Sequence, residues 1–139
     1  MIHPNHFKGA ASEMKAAAHF LSKGYEVFFP AITQSAADFV VKSERGYEGV
    51  QVKSATPLKS GEANYLQIRL QGKPTPYATH NYLEGDFEHL VVVYGDMMWD
   101  FPWELVKDKT SMTFGRLNED GTISTSGRGG YNPEDYRLR

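Results

Sequence analysis

The sequence predicts one domain of the α/β or α+β class, with a central mixed β-sheet flanked by helices. Its 139 residues, 40% of them hydrophobic and 13% aromatic, suit a single hydrophobic core, so one domain is expected over residues 1–139. An Ala-rich segment near the N-terminus has the apolar spacing of an amphipathic helix. The segments that follow are short, rich in β-branched and aromatic residues, and separated by Gly, Pro and Asn, which is typical of strands.

The first half predicts a helix and then a sheet. A helix is expected over residues 7–24, because Ala10, Met14 and Ala17 recur at helical spacing and Gly24 can end it. Three strands are expected next, over residues 25–30, 37–43 and 47–55. They are close in sequence, so we expect them to pair as an antiparallel meander.

The second half predicts further strands and one short helix. We expect a loop at 57–63, a strand at 64–70, an exposed loop at 71–81, a hairpin of strands 90–94 and 97–101, a short helix at 102–108 and a strand at 111–117. The remainder, 118–139, is rich in turn-forming residues and is expected to be a flexible or peripheral tail.

Composition excludes several kinds of protein. There is no cysteine, which excludes a disulfide scaffold, a zinc–cysteine site and a thiol nucleophile. No segment approaches the ~18 apolar residues of a membrane span, and the first residues lack an apolar signal segment, so a cytoplasmic protein without a membrane partner is expected. Residues 1–73 hold nine Lys and Arg against six Asp and Glu, whereas the whole chain has a net charge of −2. The basic first half is therefore where we expect the site.

Four polar residues form a candidate site in this half. Gln51 and Lys53 share one face of the third predicted strand, because strand side chains alternate. Asp38 begins the second strand and can lie across from them if the two strands are antiparallel neighbours. Glu13 lies on the preceding helix. Carboxylate and amide oxygens suit Mg²⁺ and a lysine can stabilise charge on phosphate, so this set predicts hydrolysis of a phosphodiester bond.

The set resembles the PD-(D/E)XK nuclease superfamily, in the variant with Gln in place of the second acid. That variant is typical of a small family that includes a cyanobacterial group I intron homing endonuclease. The resemblance runs through KGAASEMKAAAHFLSKGYEVFFP, ADFVV and VQVKSA and continues more weakly to Pro102. It implies a restriction-endonuclease-like core and DNA cleavage that depends on Mg²⁺, with Mn²⁺ as a substitute. It also implies that Glu13, Asp38 and Gln51 hold the metal and that Lys53 is catalytic.

Two departures from the superfamily pattern bear on activity. Ala37 stands where many members of the superfamily have a proline before the aspartate. Other members also lack this proline, so its absence here has little bearing on activity. Gln51 removes one negative charge from the metal site, so it weakens the expected metal affinity.

Simpler interpretations of the same residues remain open at this point. An Asp and a Lys on neighbouring strands also suit a solvated sheet face, and Glu13 also suits a helix acid that complements the macrodipole. Glu48 is a rival metal ligand, although strand alternation places it opposite Gln51 unless a bulge intervenes. The five histidines show no metal-ligand spacing.

Partners follow from the same set of residues. Double-stranded DNA is the expected substrate, and the candidates for contacting it are Lys59, Arg69, Lys73 and Arg128. One domain offers one active site, so cleavage of both strands predicts a homodimer or larger homo-oligomer. Two other functions remain open: a structure-selective nuclease such as a Holliday-junction resolvase, and a DNA-binding module that has lost cleavage.

Overall fold

The computed structural model describes residues 1–32, 34–70, 82–124 and 130–139. In chain order its elements are α1 (Pro4–Ser22), β1 (Glu26–Phe28), β2 (Phe39–Ser43), β3 (Gly46–Ser54), β4 (Thr56–Ser60), β5 (Ala63–Arg69), β6 (His89–Tyr94), β7 (Met97–Pro102), α2 (Trp103–Val106), β8 (Ser111–Leu117), β9 (Ile123–Ser124) and a 3-10 helix (Pro133–Tyr136). Within these ranges, no helix has the length and apolar character needed to cross a membrane.

Five strands form a mixed sheet, in the order β1-β2-β3-β6-β7. The meander predicted for the first three strands is confirmed, since β2 pairs antiparallel with both β1 and β3. The other edge of β3 pairs in parallel with β6, which places Lys53 opposite Val92. The hairpin of β6 and β7 completes the sheet. The predicted fold class is therefore confirmed, and β3 lies at the centre of its sheet.

A second sheet, with the order β4-β5-β8-β9, is entirely antiparallel. It packs on the first sheet around a core of buried side chains that includes Leu66, Trp99, Phe101 and Phe114. The loop predicted at 57–63 is wrong, because most of it forms β4 and the turn into β5. Every residue of β4 is exposed, so this edge strand lacks the apolar alternation that marks a half-buried strand.

Helix α1 covers the opposite face of the first sheet. Its buried residues Ala16, Ala17 and Phe20 pack on Val50 and Val52 of β3. The small alanines let the helix lie close to the strand, and Phe20 supplies most of the apolar area. The helix begins at Pro4, earlier than predicted, since proline is favoured in a first turn and His3 accepts a hydrogen bond from the Asn5 amide.

The last ten residues lie within the predicted flexible or peripheral tail and pack against β7. Pro133 is buried in the 3-10 helix, and the Leu138 amide donates to the Met98 carbonyl at 2.9 Å. The Arg137 guanidinium lies over the Trp99 ring, 5.9 Å from its centroid. These contacts cover β7, the edge strand of the first sheet that lies farthest from β1.

Candidate active site

Strand β3 presents different residues to its two neighbouring layers. Val50 and Val52 face α1, so Gln51 and Lys53 face the second sheet. Gln51 is 8% exposed, and its amide nitrogen donates to the Val52 carbonyl at 3.4 Å. Among the described residues nothing donates to the Gln51 side-chain oxygen. This oxygen can therefore accept a hydrogen bond from water or ligate a cation.

Asp38 is held beside Gln51 by the backbone of β3. Phe39 pairs with Val50 in the antiparallel register, which places Asp38 level with Gln51 and on the same face. The Asp38 amide donates to the Val50 carbonyl at 2.8 Å, and its carboxylate Oδ2 accepts from the Val52 amide at 2.7 Å. These two bonds fix the carboxylate at the point where β2 begins.

Glu13 reaches the same point from α1. Its carboxyl hydrogen-bonds the Asp38 side chain, and burial together with that bond and the Asp38 charge raises the pKa of Glu13 to about 7. The helix is positioned here by Ser12, whose hydroxyl lies 2.7 Å from the Ser54 hydroxyl. Two carboxyl groups in contact offer adjacent oxygen ligands to a cation.

The macrodipole interpretation of Glu13 does not fit the observed helix. The helix begins at Pro4, and no acidic residue lies in its first turn. The dipole falls off within one turn, so it acts little on Glu13. Its contact with Asp38 is therefore what distinguishes this residue.

The donor set fits a hard divalent cation. Glu13 and Asp38 offer carboxylate oxygens and Gln51 offers an amide oxygen, the ligand types that Mg²⁺ takes while keeping several waters. Within the described ranges, no three His, Cys, Asp or Glu side chains converge on one point. Only two carboxylates meet at the site because the third oxygen donor, Gln51, is an amide.

Lys53 lies two residues beyond Gln51 on the same face. It is half-buried, and its ammonium sits 5.7 Å from the centroid of the Tyr82 ring. Among the described residues, no carboxylate forms an ion pair with Lys53. The sequence did not predict that Tyr82 lies beside Lys53, because no motif or regular spacing relates Tyr82 to β3. The contact arises because Tyr82 packs edge-on against Phe87.

Glu48 lies outside this site, as strand alternation predicts. It faces α1, where its carboxylate is 3.3 Å from Nε2 of His89. Asp100 contacts the other ring nitrogen of His89 at 2.9 Å. Burial lowers the pKa of His89, but the two carboxylates outweigh it and raise that pKa above its ordinary value. Glu48 is thus committed to a structural cluster with His89.

The candidate DNA contacts are only partly described. Lys59 is exposed on β4 and Arg69 is exposed at the end of β5. The register pairs Lys59 with Asn64, whereas Arg69 pairs with Ser111, so the two side chains lie on opposite faces of their sheet. Lys73 and Arg128 lie outside the described residues.

Glu13→Gln should remove a pH dependence from the stability of the metal-free protein. The folded-state pKa of Glu13, about 7, is above its ordinary 4.5, so folding takes up a proton between these values. The stabilisation is complete below pH 4.5 and is lost as pH rises through 7. Urea unfolding with a chelator present should therefore show wild type losing more stability from pH 5 to pH 8 than Glu13→Gln does.

The exposed Glu119 provides the matched control for this measurement. Glu119→Gln removes the same charge far from Asp38, and it should keep the wild-type pH profile. If Glu13→Gln keeps that profile too, the pKa of Glu13 is not raised in solution.

Comparison with known proteins identifies the family of this chain. Residues 3–123 match the PD-(D/E)XK endonuclease family. The chain is 39% identical over 118 residues to Protein 5.3 of Escherichia phage T7, covering 85% of this chain and 97% of that protein. A bacterial homing endonuclease, I-Ssp6803I, shares the fold, with a TM-score of 0.73 and 18% identity over 97% of this chain and 89% of its own. The resemblance in the sequence is thus confirmed, and the chain belongs to the PD-(D/E)XK endonuclease family.

Proposed function

We propose that the protein is a Mg²⁺-dependent DNA endonuclease of the homing type, which hydrolyses phosphodiester bonds. The observation that carries the proposal is the meeting of Glu13 and Asp38 beside the buried amide of Gln51, with Lys53 on the same strand face. The family and the shared fold support nuclease activity, and the oxygen donors support the metal.

Each residue of the site has a distinct role in this proposal. Asp38 and Gln51 hold the cation through their side-chain oxygens, and Glu13 adds a third ligand directly or through water. When bound, Mg²⁺ lowers the pKa of a water molecule and neutralises charge on the phosphate. Mn²⁺ prefers similar oxygen donors and should substitute for it.

Lys53 acts on the reacting phosphate and does not ligate the metal. Its ammonium is not neutralised by a described carboxylate, so its full charge is available to DNA. It positions the attacking water and stabilises the negative charge that develops on the phosphate oxygens. The Tyr82 ring, over which the ammonium lies, limits where this flexible side chain can point.

The proposed substrate is double-stranded DNA, cut by a homodimer or larger homo-oligomer. Each chain supplies one site, so two chains are needed to cut both strands in one encounter. The phage relative supports a protein of phage or mobile-element origin that works in the cytoplasm.

The test is cleavage of DNA by the purified protein. Supercoiled plasmid, phage genomic DNA, linear duplexes and four-way junctions are incubated with Mg²⁺, with Mn²⁺ and with EDTA, and the new ends are mapped. We expect metal-dependent cuts in long duplex DNA and sedimentation as an oligomer. Cleavage confined to junctions would favour a resolvase instead, and nicked product from a monomer would contradict the oligomer.

Gln51 also supports a second candidate, a binding module that has lost cleavage. An amide ligates Mg²⁺ more weakly than a carboxylate, so this residue lowers the affinity of the site. If neither wild type nor Gln51→Glu cuts DNA with Mg²⁺ or Mn²⁺ while both bind it, the binding module is correct.

Gln51→Glu should strengthen metal binding and weaken the metal-free protein. The new carboxylate adjoins Asp38 and Glu13, so without metal the like charges repel and the melting temperature at pH 8 falls. Mg²⁺ should then raise the melting temperature more than it does in wild type, because affinity for the folded state adds to stability. Thermal unfolding across a Mg²⁺ titration measures both effects.

Gln34→Glu is the control for the added charge. Gln34 is exposed in the loop before Asp38, so a carboxylate there stays solvated. Its Mg²⁺ response should match wild type. A Gln51→Glu response no larger than this control would show that Gln51 does not ligate the metal.

A further inference from the structure

The second sheet turns one face away from the core. On β5, Leu66 and Ile68 are buried, so Tyr65, Gln67 and Arg69 point outward. Strand pairing adds neighbours from β4 and β8 to the same face. We call this set the outer face, and it consists of Thr56, Leu58, Tyr65, Gln67, Arg69, Ser111, Thr113 and Arg116.

The two charged side chains of the outer face are both basic. This face carries two arginines and no carboxylate, although Asp and Glu outnumber Lys and Arg by 17 to 15 in the chain. Glu62, Glu119 and Asp120 border Arg116 at one end of the second sheet. The positive charge at Arg69 complements a polyanion such as duplex DNA.

Most polar side chains of the outer face have no partner within the described part of the chain; the exception is the Thr56 hydroxyl, which donates to the Gln67 carbonyl at 3.5 Å. The side chains of Gln67, Arg69 and Thr113 make no hydrogen bond there, and neither does that of Arg116. Gln67 and Thr113 are directly paired across β5 and β8, as are Arg69 and Ser111. Donors and acceptors are thus arranged in two adjacent rows, and all of them are available to an external ligand.

The outer face is joined directly to the active site. Only Ser54 and Ala55 separate Lys53 from Thr56, the first residue of β4. Ala55 is 1% exposed, and its amide donates to the Val93 carbonyl at 2.9 Å. This buried link fixes the second sheet relative to β3, while Lys53 points to the inner side of that sheet and the outer face points away from it.

The dimensions of the outer face suit a DNA groove. Tyr65 and Arg69 are four residues apart, which spans about 13 Å in a strand. The major groove is about 12 Å wide and admits a two-stranded β-ribbon. A bulge between Leu66 and Gln67, where β8 has one extra residue, increases the local twist of this ribbon.

We propose that the outer face lies in the DNA major groove and that Gln67 and Arg69 determine sequence specificity. Glutamine can bond both major-groove groups of adenine, and arginine can bond both acceptors of guanine. Leu58 is 45% exposed beside Tyr65, which provides an apolar contact for a thymine methyl. Arg116 contacts the neighbouring phosphates. This inference rests on the proposed function only in taking duplex DNA as the ligand.

The test is selection of bound sequences from a randomised duplex library by wild-type protein in EDTA. We expect an enriched sequence of several base pairs. Gln67→Ala and Arg69→Ala should each relax the preference at one position, about tenfold, while leaving the other positions as they are. Arg45→Ala is the control, because Arg45 lies in the β2–β3 turn at the far end of β2 from Asp38. It should keep the wild-type preference.

Each outcome separates this inference from the nuclease proposal, because binding in EDTA requires no cleavage. A relaxed preference in Gln67→Ala and Arg69→Ala supports the inference even if the protein never cuts. An unchanged preference with uniformly weaker binding shows that the outer face touches only phosphates, which overturns it. The absence of any enriched sequence also overturns it, whether or not Mg²⁺-dependent cleavage is seen.

Discussion

Asp38→Asn should abolish DNA cleavage while leaving the protein folded. The substitution removes the carboxylate that lies between Glu13 and Gln51, and with it most of the affinity for a divalent cation. We expect the cleavage rate to fall by at least about 10³-fold, equivalent to about 4 kcal/mol of transition-state stabilisation. Single-turnover cleavage of a mapped site measures the change.

Asparagine is preferable to alanine at this position. The Asp38 carboxylate accepts the Val52 amide at 2.7 Å, and the asparagine side-chain oxygen can accept the same bond. Alanine would leave a β3 amide without its partner and cost about 1–3 kcal/mol of stability. The asparagine also removes repulsion from Glu13, so the metal-free variant should be at least as stable as wild type at pH 8.

Two further measurements separate loss of the metal from loss of the fold. Mg²⁺ should raise the melting temperature of wild type and leave that of Asp38→Asn unchanged. Asp120→Asn is the matched control, since the Asp120 carboxylate likewise accepts a backbone amide, from Thr122 at 3.0 Å, but in the β8–β9 turn. Asp38→Asn with wild-type cleavage, or Asp120→Asn without it, would contradict the assignment of the site to Asp38.

Local patterns in the sequence were sufficient to predict a strand and its buried side chains where one face of the strand is buried. The alternation in β3 predicts that Val50 and Val52 are buried and that Gln51 and Lys53 face the other way, and the structure has this arrangement. The same alternation predicts β5. Strand β4 could not be predicted in this way, because an exposed edge strand has no buried side chains to produce a period.

Contacts between segments that are distant in sequence could not be predicted from local patterns, because they depend on how the chain folds. The position of Asp38 level with Gln51 follows from a meander, which short connections favour. The contact of Glu13 with Asp38 depends on where α1 crosses the sheet, and only the resemblance to a known family indicated it. The approach of Tyr82 to Lys53 depends on packing around Phe87, for which the sequence has no local signal.

Lys53→Gln should reduce cleavage by about 10²–10³-fold, or about 3–4 kcal/mol, without changing metal binding. The lysine makes no described ion pair with Asp38 or Glu13, so its removal leaves the metal ligands in place. The Mg²⁺-dependent rise in melting temperature should therefore equal that of wild type. This combination of lost cleavage and retained metal response differs from the result expected for Asp38→Asn.

The control for Lys53 is Lys42, an exposed lysine that lies 4.0 Å from the Glu26 carboxylate. Lys42 on β2 also lies over a tyrosine ring, 5.6 Å from the centroid of Tyr47. Lys42→Gln removes the same charge and the same type of aromatic contact, so any shared loss of stability is subtracted by comparing the two variants. Lys42→Gln should cut DNA at the wild-type rate. Equal cleavage by the two variants would show that the Lys53 ammonium is not needed for catalysis.

Lys53→Arg then separates charge from position. Arginine keeps the positive charge on a longer, planar group, so it can still stabilise the phosphate but is less able to place a water beside it. If charge on the phosphate is the main contribution, Lys53→Arg should recover at least about tenfold of the rate lost in Lys53→Gln. A rate as low as that of Lys53→Gln would instead mean that the ammonium must donate at one position, which Tyr82 helps to define.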